Sequence, residues 1–137
     1  MLIQQGLAAQ TPPLVVPGGY MAELPKDLLG PGQTQAWSYR SISSEPDLVL
    51  KGDTGWTSWV VQIDCHGFDQ PGGAALAIAL ARAIYKVLRG GFQGTLPDTD
   101  NTYVMGVYKN APQVDGFSDA NRSFVRSLEY RIIYQQI

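Results

Sequence analysis

The only histidine stands in Asp64-Cys65-His66, with Asp69 close by, and a base beside a thiol is the start of a cysteine nucleophile. Consecutive strand residues point to opposite faces, so the two side chains meet only if the strand has already ended. A buried thiol next to a strand-end histidine is the plainer reading. One histidine is also too few for the usual zinc ligand sets. Gln70-Pro71-Gly72-Gly73-Ala74 precedes a helical pattern, where free N–H groups can hold an anion. It lacks the lysine and hydroxyl residue of a P-loop and the glycine spacing of a dinucleotide fold. Asp98 with Asp100, and Asp115 with Asp119, pair acids suited to calcium or to acid/base work, but without EF-hand spacing they read as solvated turn acids. Trp56 and Trp59 could stack a base or a sugar, although Trp59 falls on a core-facing position. Arg82, Lys86 and Arg89 could contact phosphates or simply form a solvated helix face. No catalytic, cofactor-binding or metal-binding set emerges, and an enzyme is not expected.

The elements that would position these groups centre on Gln70 to Gly94. Leu76, Leu80, Ala83, Ile84 and Val87 recur at spacings of three and four, opposite Arg82, Lys86 and Arg89, which predicts an amphipathic helix. Asp69 or Gln70 with Pro71 can start it, and Gly90 can end it. Ile78 and Tyr85, beside Ala74 and Ala81, widen its apolar face beyond what one sheet needs to cover. Ahead of it, Trp59, Val61, Ile63 and Cys65 alternate with Val60, Gln62 and Asp64, the pattern of a strand packed on helices by one face. Ala36 to Ser43 predicts a second strand, and Tyr103 to Tyr108 a third, interrupted by Gly106. Arg122 to Tyr134 predicts a last strand of about 40 Å, which must bend or reach beyond the domain. Between the first two strands, Ser44 to Gly55 forms a long projecting loop, and Asn110 to Asn121 a polar one. Met1 to Ala9 predicts a short helix stopped by Thr11-Pro12-Pro13, followed by Pro/Gly-rich chain to Gly32, with short extended candidates at Leu14 to Val16 and Tyr20 to Leu24.

The 137 residues make one α+β domain. Residues 1–35 hold the first helix and the Pro/Gly-rich segment, and residues 36–137 the sheet and the central helix. The expected architecture is a mainly antiparallel sheet of about four strands with two helices packed on one face. Charged residues are only 16% of the chain, below the usual quarter, so part of the surface is expected to be covered by a partner. The formal net charge of −2 gives no basic footprint for binding DNA. A lone cysteine allows no internal disulfide, and neither a secretion signal nor a bilayer-length apolar run is present, so a soluble protein without an export signal is expected.

In order and spacing the segments resemble the tail completion proteins of long-tailed bacteriophages, the group of tail terminator or tail-to-head joining proteins. The matching pieces are Leu24-Pro25, Tyr39-Arg40-Ser41-Ile42-Ser43, Val60-Val61-Gln62-Ile63-Asp64-Cys65, and the helix from Ala74 to Leu88. Phe92-Gln93-Gly94-Thr95-Leu96 and Arg126 to Tyr134 complete the set. The resemblance covers the chain from about Gly19 onward and carries no catalytic signature. It implies a virion protein assembled in the host bacterial cytoplasm, a hexameric ring at the head-proximal end of the tail. Such a ring ends tail-tube polymerisation and joins tail to head while DNA passes through the channel without sequence-specific binding. Its partners would be copies of itself, the tail tube protein and the head–tail connector proteins, with no membrane. The expected subunit contact is Ile78, Tyr85, Tyr130, Ile132 and Tyr134, and the expected partner-contact loop carries Glu45, Asp47, Leu48, Lys51 and Asp53. A head-side neck or minor tail protein is a close variant. A small α+β ligand-binding protein or enzyme is the alternative from another class.

Overall fold

The computed structural model describes residues 18, 20–21, 34–49, 52–68, 72–88, 94–95, 102–118 and 123–136. Four long strands, β2 (Gln35–Val49), β3 (Gly52–Gly67), β5 (Thr102–Ser118) and β6 (Ser123–Gln136), form an antiparallel sheet. Two short strands, β1 (Tyr20–Met21) and β4 (Gly94–Thr95), flank it, giving the order β1-β2-β3-β6-β5-β4 with β1 parallel to β2. One helix, α1 (Gly73–Leu88), lies across β3 and β6. The last strand thus inserts between β3 and β5.

The alternation in β3 places Val61, Ile63 and Cys65 under the helix, where they meet Leu80, Ala81, Ala83, Ile84 and Leu88 of α1. Trp37 of β2 and Leu128 and Tyr130 of β6 fill the same layer. The crossing at the start of the helix is fixed by the absence of side chains. A Cβ on Gly67 would fall on the Gly73 carbonyl and 2.8 Å from the Ala77 nitrogen, while one on Gly73 would fall 2.6 Å from the Phe124 ring. Glycine lets backbone approach backbone here. The Gln35 side-chain amide donates to the Leu76 carbonyl at 2.8 Å, tying the first helical turns to β2.

Among the described residues there is one helix; the predicted helix at Met1 to Ala9, like Leu14 to Val16, lies outside them. Three expectations are corrected. Ser44 to Gly55 is not an irregular loop but the end of the β2–β3 hairpin, with Leu48 opposite Asp53 and Val49 opposite Gly52. Asn110 to Ser118 is not a loop either: it continues β5 along β6, with Ala111 opposite Glu129, Val114 opposite Ser127, Asp115 opposite Arg126 and Gly116 opposite Val125, past register shifts on either side of Ala111. Finally, the long β6 carries no bulge against β3 and lies inside the sheet along its length. It pairs without a shift to β3 from Phe124 to Gln135 and is flanked by β5 on its other edge.

The sheet face away from α1 also departs from the expected pattern. Ala36, Ser38, Val60, Asp64 and His66 on that face are all buried. The alternation of apolar and polar residues therefore marks one core face and a second face that is buried at its Ala36, Ser38, Asp64 and His66 end and opens to solvent toward Arg40 and Ile42.

Candidate functional site

The buried polar face holds a connected set of hydrogen bonds. Asp64 Oδ1 accepts from Ser127 Oγ at 2.6 Å and from Gln62 Nε2 at 2.8 Å, and Oδ2 faces Arg40 at 3.3 Å. Cross-strand register explains the grouping, since Ser38, Asp64 and Ser127 occupy one row and Arg40, Gln62 and Glu129 the next. His66 sits one row further, with Nδ1 2.9 Å from Ser123 Oγ and Nε2 3.5 Å from Ser38 Oγ. Phe68 stacks on its ring at 5.9 Å. Ser38 and Ser123 are buried along with the imidazole, so neither hydroxyl can meet a substrate without the face opening. This arrangement holds strands together.

Cys65 lies on the opposite face from His66, inside the helix-side core. Burial pushes its thiol well above the usual range, with the Asp64 charge adding to the effect, and the protonated form is a poor nucleophile. The pairing of Cys65 with His66 is therefore closed by geometry. Tyr130 is likewise raised by burial, and its hydroxyl is buried with no hydrogen-bond partner among the described residues. The His66 imidazole is shifted the other way: burial lowers its pKa, partly countered by Asp64 and helped by Arg40.

These directions predict a stability optimum near neutrality. His66 binds a proton more readily in the unfolded chain, so its contribution is full above about pH 6.5 and is lost as pH falls through the lower folded value. Cys65 and Tyr130 resist ionisation in the fold. Their contribution is full below about pH 8.5 for the thiol and pH 10 for the phenol, and declines as pH rises beyond those values. Melting temperature measured across this range should form a plateau with two falling limbs. In His66→Gln the limb below about pH 6.5 should flatten; an unchanged slope there would remove the assignment.

On the surface, the expected contact residues divide. Tyr130 is 2% exposed and lies in the core, because β6 is a central strand, so it has no surface to offer a neighbour. Ile78, Ile132 and Tyr134 are half-buried, and Tyr85 is 42% exposed on α1. Lys109 of β5 holds its ammonium 5.8 Å from the centre of the Tyr85 ring. In the hairpin, Glu45, Asp47 and Leu48 belong to β2 and Asp53 to β3; Lys51 lies outside the described residues. Beyond the row where Trp56 pairs with Gln135, β6 ends and β2 and β3 continue as a two-stranded ribbon, starting at Gly55 in the left-handed region with φ 83°.

Other groups with chemical potential have local partners. Arg126 grips Asp115 through two bonds of 2.7 and 2.9 Å, which holds the carboxyl below the usual carboxylate range. Trp59 packs against the core and donates to Ser41 Oγ at 2.8 Å, and Trp56 meets the Tyr103 ring edge-on at 6.3 Å. Asp69, Arg89, Asp98, Asp100 and Asp119 lie outside the described residues.

The sequence reading missed the exposed apolar residues of β5. Met105, Tyr108, Val114 and Phe117 are open to solvent, Val114 most of all at 65%. Ile42 is the exposed counterpart on β2. An apolar pair three apart, Val114 and Phe117, inside an otherwise polar stretch was the available signal, and it was hidden by the loop-forming Pro112 and Gly116 beside it. The chain matches no family model and no curated protein.

Proposed function

We propose that this chain is a structural subunit of a phage particle, forming a ring at the head-proximal end of the tail that ends tube growth and joins tail to head. The observation that carries the reading is the unlike chemistry of the two sides of the sheet. A ring needs a heterologous contact, one face of a subunit against a different face of the next. The β5 side exposes Met105, Tyr108, Val114 and Phe117, whereas the β2 side exposes Ile42, Arg40 and Ser44. Among the described residues, β1 pairs with β2 at Ser38 and Tyr39, and β4 with β5 at Tyr103 and Val104. Past those points both edge strands have ladder groups without a described partner strand.

Strand direction allows copies to add head to tail. With four long strands alternating, β2 and β5 run in opposite directions, so β5 of one copy beside β2 of the next continues an antiparallel sheet. The ribbon at one end of the sheet supplies a separate surface for the tail tube protein or the connector. The order of sequence segments shared with tail completion proteins supports the same reading. DNA moving through the ring needs weak contacts, and the net charge of −2 suits that.

Light scattering tests it, on the purified chain alone and mixed with tail tube protein. The expected result is a closed hexamer of 14.9 kDa subunits in at least one condition, lowered in mass by Phe117→Asp. A monomer or dimer in both conditions would overturn the reading.

A further inference from the structure

The outer edge of β5 divides into a blocked part and an open one. From Val104 to Val114 three register shifts interrupt its pairing with β6, and Pro112 falls among them. Bulges and proline are what keep a neighbour off an edge strand. From Val114 to Ser118 the strand pairs with β6 residue for residue. Val114, Asp115, Gly116 and Phe117 are all exposed, and a Cβ on Gly116 would meet nothing within 4 Å. A regular, exposed edge of this kind is a template for another strand.

The opposite edge of the sheet has a matching stretch. β1 pairs with β2 at Ser38 and Tyr39, and past them Ser41, Ile42 and Ser44 are exposed, with Ile42 the extra residue of a bulge. The two edges also differ in charge. In the Arg40–Asp64 pair the outward member is the cation, 50% exposed against 7%, whereas in the Arg126–Asp115 pair it is the acid, 61% against 17%. Joining like edges brings like charges together, and joining unlike edges brings opposite ones.

We infer that neighbouring copies join through Ser41 to Ser44 of one and Val114 to Phe117 of the next, in a staggered register that sets Ile42 beside Gly116, an inference that rests on the ring reading and names its contact. The flanking strands decide the stagger. Ser38, Asp64, Ser127 and Val114 share one row, so with the copies level β1 would stand between Val114 and the neighbour's β2. Sliding Ser41 next to Phe117 carries β1 past Ser118, where β5 ends, and β4, which pairs at Val104, past Val49, where β2 ends. Inside one subunit Ser41 is level with Tyr130 and Phe117 with Phe124, so the step is the distance from Tyr130 to Phe124 along β6, about 20 Å at the strand rise. Four long strands span about 19 Å, and a step of that size tilts them by about 45°, the upper end for closed sheets. Ile42 then covers the gap at Gly116 beside Val114.

Paired cysteines read this register in the full chain, under the condition that gives the wild-type ring. Oxidation with copper–phenanthroline should link copies of Ile42→Cys with Gly116→Cys into a ladder up to the hexamer on a non-reducing gel, since neighbouring residues on adjacent strands fall within bridging range. Each single substitution should give no ladder beyond a dimer, and the native thiol, buried at Cys65, takes no part. Ser43→Cys with Tyr108→Cys, level with each other inside the subunit, should give none. Gly116→Arg adds a side chain in open space and a cation facing the Arg40 edge, so it should keep the wild-type circular dichroism and weaken subunit association roughly tenfold or more. A wild-type ring that is indifferent to Gly116→Arg, that stays unlinked in the first pair or that links in the level pair overturns the staggered contact and leaves the ring reading standing. A wild-type chain that forms no ring overturns both.

Discussion

An alanine at Gly67 is expected to cost roughly 3 kcal/mol or more of folding stability, an effect out of scale with the single methyl group added. The new Cβ has no flexible side chain to push aside. It meets the Gly73 carbonyl and the Ala77 amide nitrogen, both main-chain atoms of the first helical turns. To make room, α1 must lift from β3, and it then loosens the packing of Leu80 and Ile84 on Val61 and Ile63. A useful control is Gly116→Ala, because a Cβ there meets nothing within 4 Å. Urea unfolding should show a large fall in midpoint for Gly67→Ala and almost none for Gly116→Ala, with similar slopes. Equal midpoints would mean that the helix slides freely on the sheet. Because Tyr85 and Lys109 belong to the helix and to β5 respectively, a lifted helix should also disturb their contact.

Removing the Asp64 carboxylate should cost about 2–3 kcal/mol, lowering Tm by about 10 °C. Asp64 is buried and accepts two short bonds, from Ser127 on β6 and Gln62 on β3. Truncation to alanine leaves those half-buried donors without their acceptor, and the loss of an acceptor costs more than the bond itself contributes. The Arg40 contact adds less, since at 3.3 Å with a half-exposed guanidinium it is weakened by solvent. Ser127→Ala should therefore cost about 1 kcal/mol, well under Asp64→Ala. Were calorimetry to find the two equal, Asp64 would be held by one bond and not by a network.

Local periodicity carried the centre of the fold. The stripe of Leu76, Leu80, Ala83, Ile84 and Val87 became α1, and the alternation from Trp59 to Cys65 became the middle of β3. Both patterns follow from the 3.6- and two-residue repeats of the backbone, which neighbouring residues alone impose. The opposite faces of Cys65 and His66 followed from the same rule. Tyr85 was legible as an apolar residue off the main stripe, but Lys109 beside it was not, since 24 residues separate them and only the packing of α1 across β3 and β6, with β5 next to β6, brings them together.

What sequence alone determined, then, is an α+β chain with a strand, a helix and a long terminal strand of given faces, poor in charge and without a recognisable catalytic set. Tertiary structure decided where Ser44 to Gly55 and Asn110 to Ser118 belong. Their Pro, Gly and Asp residues favour loops when judged locally, but pairing of Pro46, Leu48 and Val49 with β3 and of Val114, Asp115 and Gly116 with β6 overrides that preference. It also decided that β6 is central, which buries Tyr130 and leaves β2 and β5 as the outer two of the four long strands. Strand order depends on contacts between residues far apart in sequence, and no local repeat encodes those.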